Sequence, residues 1–321
     1  MKPDGTNPTP ASRKIEEQLA AIGHLSLSTE ASFATDVLQK CLASKVGLVV
    51  ARAAKKTAEL ARRELVSDLL SGYDRMFVNA EKTDPQCWGK NAIAEALVAL
   101  EYSGAEPFLR GATYIQMEPV WGGSEDTAPA LRGICLLALA GCTEVPRLDL
   151  LRFYVDRLLD PDKTVRREVL RALEQMGGAD CGLLLRLKAR LGDKEPEVVG
   201  QALESLLHLE PEVGVPFAGE FLKSASPEVQ EEAALALGMA RSLAAVRLLI
   251  ETWNQSRDLM ILRALGLSRS PKAFDLLIEV VSRGGTRESA AALEALKPYI
   301  DSGDLRKRVD LALEQAHGSR D

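Results

Sequence analysis

Chemistry at neutral pH needs a nucleophile, a proton carrier or a set of metal ligands, and this chain is sparing with all three. Its histidines, His24, His208 and His317, are scattered over nearly the whole sequence, which does not read as a metal or proton-transfer centre. Five cysteines (Cys41, Cys87, Cys135, Cys142, Cys181) form an odd set with no C-x-x-C pair. Free thiols in a reducing compartment fit that pattern better than disulfides or zinc. Carboxylates cluster, as in Glu231-Glu232 and Glu210 with Glu212, but such spacings usually mark solvated helix faces and turns. Gly122-Gly123 lacks the Lys and the preceding strand of a phosphate-cradling loop and reads as a turn. The residues therefore predict no catalytic site, no metal and no cofactor.

Composition sets the frame in which any site must be built. The chain has 321 residues, 46% of them hydrophobic, 27% charged and 5% aromatic, with a net charge of −6. Ala, Leu, Glu and Arg dominate, so helices are favoured and an all-β fold is excluded. A net negative charge opposes broad adhesion to nucleic acid or anionic membranes. Residues 1–14 begin without an apolar stretch and read as a disordered tail, not a secretory signal. No apolar run approaches the ~20 residues that span a bilayer, so a soluble, cytoplasmic protein is expected.

Hydrophobic periodicity shows what positions the side chains. Val165, Val169, Ala172, Leu173 and Met176 form one stripe of a helix at offsets 0, 4, 7, 8 and 11, the spacing of a buried helical face. Copies start at positions 50, 92, 131, 198 and 229, and weaker ones at 257 and 288. Each is preceded by another amphipathic segment, for example 148–159 or 244–253, so the unit is a helical hairpin, first helix A and then helix B. Cys135 and Cys142 occupy offsets 4 and 11 and are core residues. A repeat of this period predicts an all-α fold, an α-solenoid (superhelix) of about seven to eight antiparallel hairpins forming a single domain over 15–317. Asp84-Pro85, Asp160-Pro161, Ser226-Pro227 and Ser270-Pro271 each place a capping side chain before a proline suited to a helix's first turn.

The run 160–177, with Asp160 and Pro161 ahead of Val165, Arg166, Val169, Leu170, Ala172 and Leu173, resembles a HEAT repeat of the short bacterial type found in phycobilin-lyase-like proteins. The resemblance implies a ladder in which Asp126 pairs with Arg132 and Asp160 with Arg166, interrupted where Asp193 meets Val199 and Ser224 meets Gln230. A di-iron hydroxylase variant of the family carries His-Glu pairs, and none occurs here. The fold is implied strongly and the function weakly, since such arrays serve many tasks.

Two features break the rhythm. A loop at 115–125 lengthens the interval before the copy at 131, and long loops in compact arrays are often functional. Offset six carries Val98 and Leu137 where other copies have Lys56, Arg171, Glu204, Arg263 and Glu294, and Gly133 is expected to open that face further. Either the loop folds over Val98 and Leu137 with Trp121 as a plug, or loop and face together form part of a docking groove. The second feature is electrical: segment 40–63 has seven basic residues against Glu59 alone, a charge of +6 that leaves −12 for the rest of the chain. Most such segments are solvated faces, but an acidic partner is the alternative, and Trp88 beside Lys90 invites comparison with nucleic-acid binders. The expectation is a monomeric, non-catalytic scaffold that binds another protein along the inner B-helix surface. Tyr114, Met117, Trp121, Arg132, Arg166, Arg167 and Arg171 are its candidate partner-binding residues. A bilin lyase or chromophore chaperone is the runner-up, by resemblance, and a nucleic-acid binder through 40–63 comes third.

Overall fold

A computed structural model describes residues 10–300 and 303–318. The chain divides into two compact units, Met1–Gln175 and Met176–Asp321. The first contains α1 (Pro10–Gly23), α2 (Ala31–Leu42), α3 (Gly47–Glu59), α4 (Val66–Met76), α5 (Ala80–Thr83), α6 (Trp88–Ala99) and α7 (Glu106–Gly111). A β-hairpin of β1 (Met117–Val120) and β2 (Gly123–Asp126) follows, then α8 (Pro129–Leu139), α9 (Arg147–Arg157) and α10 (Lys163–Met176), whose final residue begins the second unit. That unit holds α11 (Ala179–Leu191), α12 (Pro196–Leu209), α13 (Pro211–Phe221), α14 (Pro227–Met239), α15 (Leu243–Ser256), α16 (Leu259–Leu267), α17 (Pro271–Arg283), α18 (Thr286–Leu296) and α19 (Gly303–Gly318).

Both units are stacks of helical hairpins, which makes the chain an all-α helical-repeat solenoid. The eight template copies fall on α3, α6, α8, α10, α12, α14, α16 and α18, each preceded by its A helix, with α1 and α19 flanking the set. Burial follows the stripe: Val165, Val169, Leu170, Ala172 and Leu173 are buried in α10, and Val198, Ala202, Leu203, Ser205 and Leu206 in α12. In the second unit the B helices touch through small residues. A Cβ on Gly238 would strike the carbonyl oxygen of Ala264, and one on Gly266 would lie 2.7 Å from that of Ala295, so these positions admit no side chain without separating the helices.

Turn chemistry explains where the B helices start. Asp126, Asp160 and Asp193 each accept the backbone N–H two residues on, at 3.0, 2.9 and 3.0 Å, the local turn that short polar side chains favour. Ser226 caps α14 through the Val229 amide at 3.3 Å. The expectation that Asp160 caps α10 needs correction. Asp162 does so, accepting from the Thr164 amide at 2.7 Å, because α10 begins two residues beyond Pro161. Of the predicted tail, residues 1–9 lie outside the described residues, and 10–14 belong to α1. No helix among the described residues is long and apolar enough to cross a membrane.

Candidate functional site

The insertion between α7 and α8 is a hairpin with Val120 opposite Gly123. Gly122 takes φ +92° in its two-residue turn, a conformation that side-chain-bearing residues avoid. Trp121, at the tip, is 103% exposed, so it is no plug, and the hairpin lines neither of the recesses described below.

The hairpin stem joins a buried polar network instead. Gln116 donates to the Asp84 carbonyl at 2.9 Å and to Glu118 Oε1 at 2.6 Å, and that same oxygen accepts from the Gln86 amide at 2.6 Å and Thr127 Oγ1 at 2.8 Å. Asp84 and Lys90 are both 0% exposed. Lys90 Nζ donates to Asp84 Oδ2 at 2.8 Å and to the Met76 carbonyl at 3.1 Å, and lies 5.5 and 5.3 Å from the ring centres of Phe77 and Tyr114. Asp84 also caps α6 through the amides of Gly89 and Lys90 at 2.6 and 3.1 Å. Asn79, Gln86 and Cys87 flank this turn with positive φ, and such non-glycine strain persists only where the surroundings fix it.

The predicted contact residues are therefore dispersed. Met117 and Trp121 are exposed on the hairpin. Tyr114 is half-buried and stacks edge-on against Phe77, with ring centres 4.6 Å apart. Arg132 is buried and cannot meet a partner. Its Nη1 reaches Asp126 at 2.7 Å and the Tyr114 carbonyl at 2.9 Å, and Nη2 donates to Asp160 at 3.1 Å. Its Nε adds an ion-pair contact to Asp160 at 3.0 Å without a hydrogen bond. Arg166 is buried too, donating to the carbonyls of Asp160 and Pro161 at 2.8 and 3.0 Å. The Asp160 carboxylate thus serves the arginine of the preceding repeat. Gln230 repeats the Arg166 contact by donating to the Ser224 carbonyl at 2.6 Å. Arg167 is half-buried, and Arg171 pairs with Glu168 at 3.0 Å.

What the first unit presents is the B-helix face that Val98 and Leu137 mark. A groove of about 510 Å³ between α6 and α8 is lined by Val98, Tyr102, Ile134, Leu137 and Ala138, with Gln175 of α10 at its edge. Glu95 joins it to a recess of about 340 Å³ between α3 and α6, lined by Leu48, Arg52, Lys55, Trp88 and Asn91. Gly133 does not open this face, because it is buried where a Cβ would press on Glu168 Cγ at 2.9 Å. Sequence identified Val98 and Leu137 through the repeat template and missed Leu48 and Ile134, which sit at offsets with no template rule. Trp88 and Lys90 part company: the indole is 48% exposed in the recess and the ammonium is sealed in the network.

Two thiols of the first unit are made unreactive by burial. Burial raises the Cys87 thiol to about 11 and Cys135 to about 12, so both stay protonated and weakly nucleophilic at neutral pH. Burial also pushes the Glu118 and Asp126 carboxyls upward, but hydrogen bonds overcome it. Gln116, the Gln86 amide and Thr127 hold Glu118 below its ordinary value, and the Ala128 amide, Arg132 and the Gln116 amide do the same for Asp126. Among the described residues no group of three or more His, Cys, Asp or Glu is placed to hold a metal ion.

No family model and no curated protein matches the chain. Among solved structures it is similar to an engineered protein at 18% identity and a TM-score of 0.39, over 97% of each chain. It is also similar to human deoxyhypusine hydroxylase in complex with glycerol, at 17% identity and a TM-score of 0.29, over 80% of this chain and 96% of that one. A second engineered protein matches at 19% identity and a TM-score of 0.19, over 88% and 95% of the two chains.

Proposed function

We propose that this chain is a non-catalytic scaffold of the HEAT-repeat kind that docks another protein on the B-helix face of its first unit. One observation carries the reading. At offset six, Lys56, Arg171, Arg263 and Glu294 are engaged in ion pairs with Glu59, Glu168, Glu231 and Lys297, whereas Val98 and Leu137 line one open groove. Leu235 of α14 is apolar at this offset as well, but Glu204 and Arg263 stand at the same offset in the flanking copies, so no second groove of two apolar neighbours arises. Adjacent apolar side chains facing water on a concave surface are a recognised mark of an interaction site. The HEAT assignment is supported by the ladder in which Arg132 bridges Asp126 and Asp160.

The test is Val98→Glu with Leu137→Glu, which places two carboxylates in the groove without touching the buried stripe. Circular dichroism is expected to be unchanged and capture of a defined partner from the source cell to be lost. Capture that survives both substitutions refutes the face. An absorption change on mixing the protein with a bilin, abolished by Leu137→Glu, would replace the scaffold with a chromophore carrier.

A further inference from the structure

We infer that the segment taken by this face is an acidic amphipathic helix, its apolar side entering the α6–α8 groove and its carboxylates lying over Arg52 and Lys55. The inference rests on the docking face proposed above and adds the partner's chemistry. Within the basic segment 40–63, Lys56 pairs with Glu59 at 2.5 Å, Arg62 approaches Glu64 at 4.0 Å and Arg63 pairs with Glu101. Arg52 and Lys55, like Lys40 and Lys45, are exposed with no acidic or hydrogen-bonding partner among the described residues, and of these four it is Arg52 and Lys55 that line the recess. Glu95, in the same recess, pairs with neither. Two unpaired cations beside the half-exposed ring of Trp88 form the aromatic-and-basic combination that anchors interfaces. The Trp88 backbone is also held in advance, since the strained Gln86-Cys87 turn before it and the Asp84 cap after it are both fixed by the buried network. The +6 of segment 40–63 stands against −12 over the rest of the chain, so an acidic ligand is drawn to this segment.

A helical ligand follows from the groove wall. Val98, Ile134, Leu137 and Ala138 offer no polar side-chain atoms, and the polar side chains that share the lining, Glu95, Glu101, Tyr102, Ser103 and Gln175, cannot pair every backbone group that an extended peptide would bury. A helix satisfies its own backbone and presents anchors at i, i+3, i+4 and i+7. From α3 to α8 the face crosses two interhelical spacings of ~8–10 Å, which ~11–13 helical residues span.

The test is selection of a displayed random library of about 16-residue peptides, long enough for that helix, on the full-length protein. Enriched peptides are expected to be net negative with helical apolar spacing. Synthetic copies should bind about tenfold or more weakly to Arg52→Glu/Lys55→Glu and to Trp88→Ala, and more weakly as salt rises. Neutral or basic winners, binding indifferent to the charge reversal, or no enrichment at all would overturn the inference. So would a DNA or RNA oligonucleotide that binds through the same two cations. If winners are not acidic yet are lost on Val98→Glu/Leu137→Glu, only the acidic chemistry falls. If neither pair of substitutions alters binding, the docking face falls with it.

Discussion

At Lys90 a full positive charge sits out of water, held by one carboxylate, one carbonyl and the faces of two rings. Removing one member of such a pair leaves the other charge buried and uncompensated, which costs about 3–5 kcal/mol. Lys90→Met is therefore expected to lower the urea-unfolding free energy by that amount. Adding Asp84→Asn should recover part of it, because the amide oxygen still caps α6 while the stranded charge is gone. Strict additivity of the two substitutions would show that they do not act as a pair. In the sequence Lys90 looked like a basic neighbour of Trp88. Its partner lies six residues back across a left-handed turn, the same interval as from Asp126 to Arg132 and from Asp160 to Arg166, but three positions earlier against the repeat template, so the register did not mark it. Arg132 was more legible, because its spacing from Asp126 recurs as Arg166 and Asp160. What spacing concealed was that Arg132 also reaches forward to the next repeat's carboxylate, and that Arg166 donates to the carbonyls of Asp160 and Pro161.

Among elements, the hairpin departs furthest from the periodic plan. Its extra length was plain from the interval between copies, but its form was not: Pro119 and the short acidic β2 give a weak strand pattern, and the partners of its stem are distant in sequence. Apolar Trp121 suggested a plug, whereas the hairpin is held by polar contacts at its stem. Those contacts predict an acid response. Glu118 and Asp126 titrate below their ordinary values in the folded protein. Their contribution is therefore complete above the usual carboxylate range near ~4 and is lost as pH falls through the depressed values. Hydrogen-exchange protection of the Gln116, Ala128 and Gln86 amides, which donate to these carboxylates, should fall below that range before protection in α10 does. Loss in step with α10 would mean that the hairpin is held by something other than its carboxylates.

For the molecule as a whole, the repeat was the most legible property, because each B helix must bury the same stripe and so repeats the same letters. All eight sequence copies land on B helices. The division into two units was not legible, since the stripe runs through α10 and on to α12 without a break. Of the proposed docking face, the half marked by Val98 and Leu137 could be read and the half around Trp88 could not. In stacked repeats each hairpin depends mainly on its neighbours, so damage should stay local. Leu237→Ala, in the core of α14, is expected to cost about 2–5 kcal/mol and to raise hydrogen exchange in the second unit more than in the first. Equal loss in both would show that the array unfolds as one block. The hairpin also sets what can be engineered into this scaffold. Residues 120–123 form a spare handle, open to an exchanged loop, an epitope or a dye. Trimming the insertion back to its roots would instead leave the carbonyl of Asp84 without its Gln116 donor and Arg132 without the Asp126 carboxylate. A plain array could not be recovered by deletion alone, because the decoration has become part of the foundation.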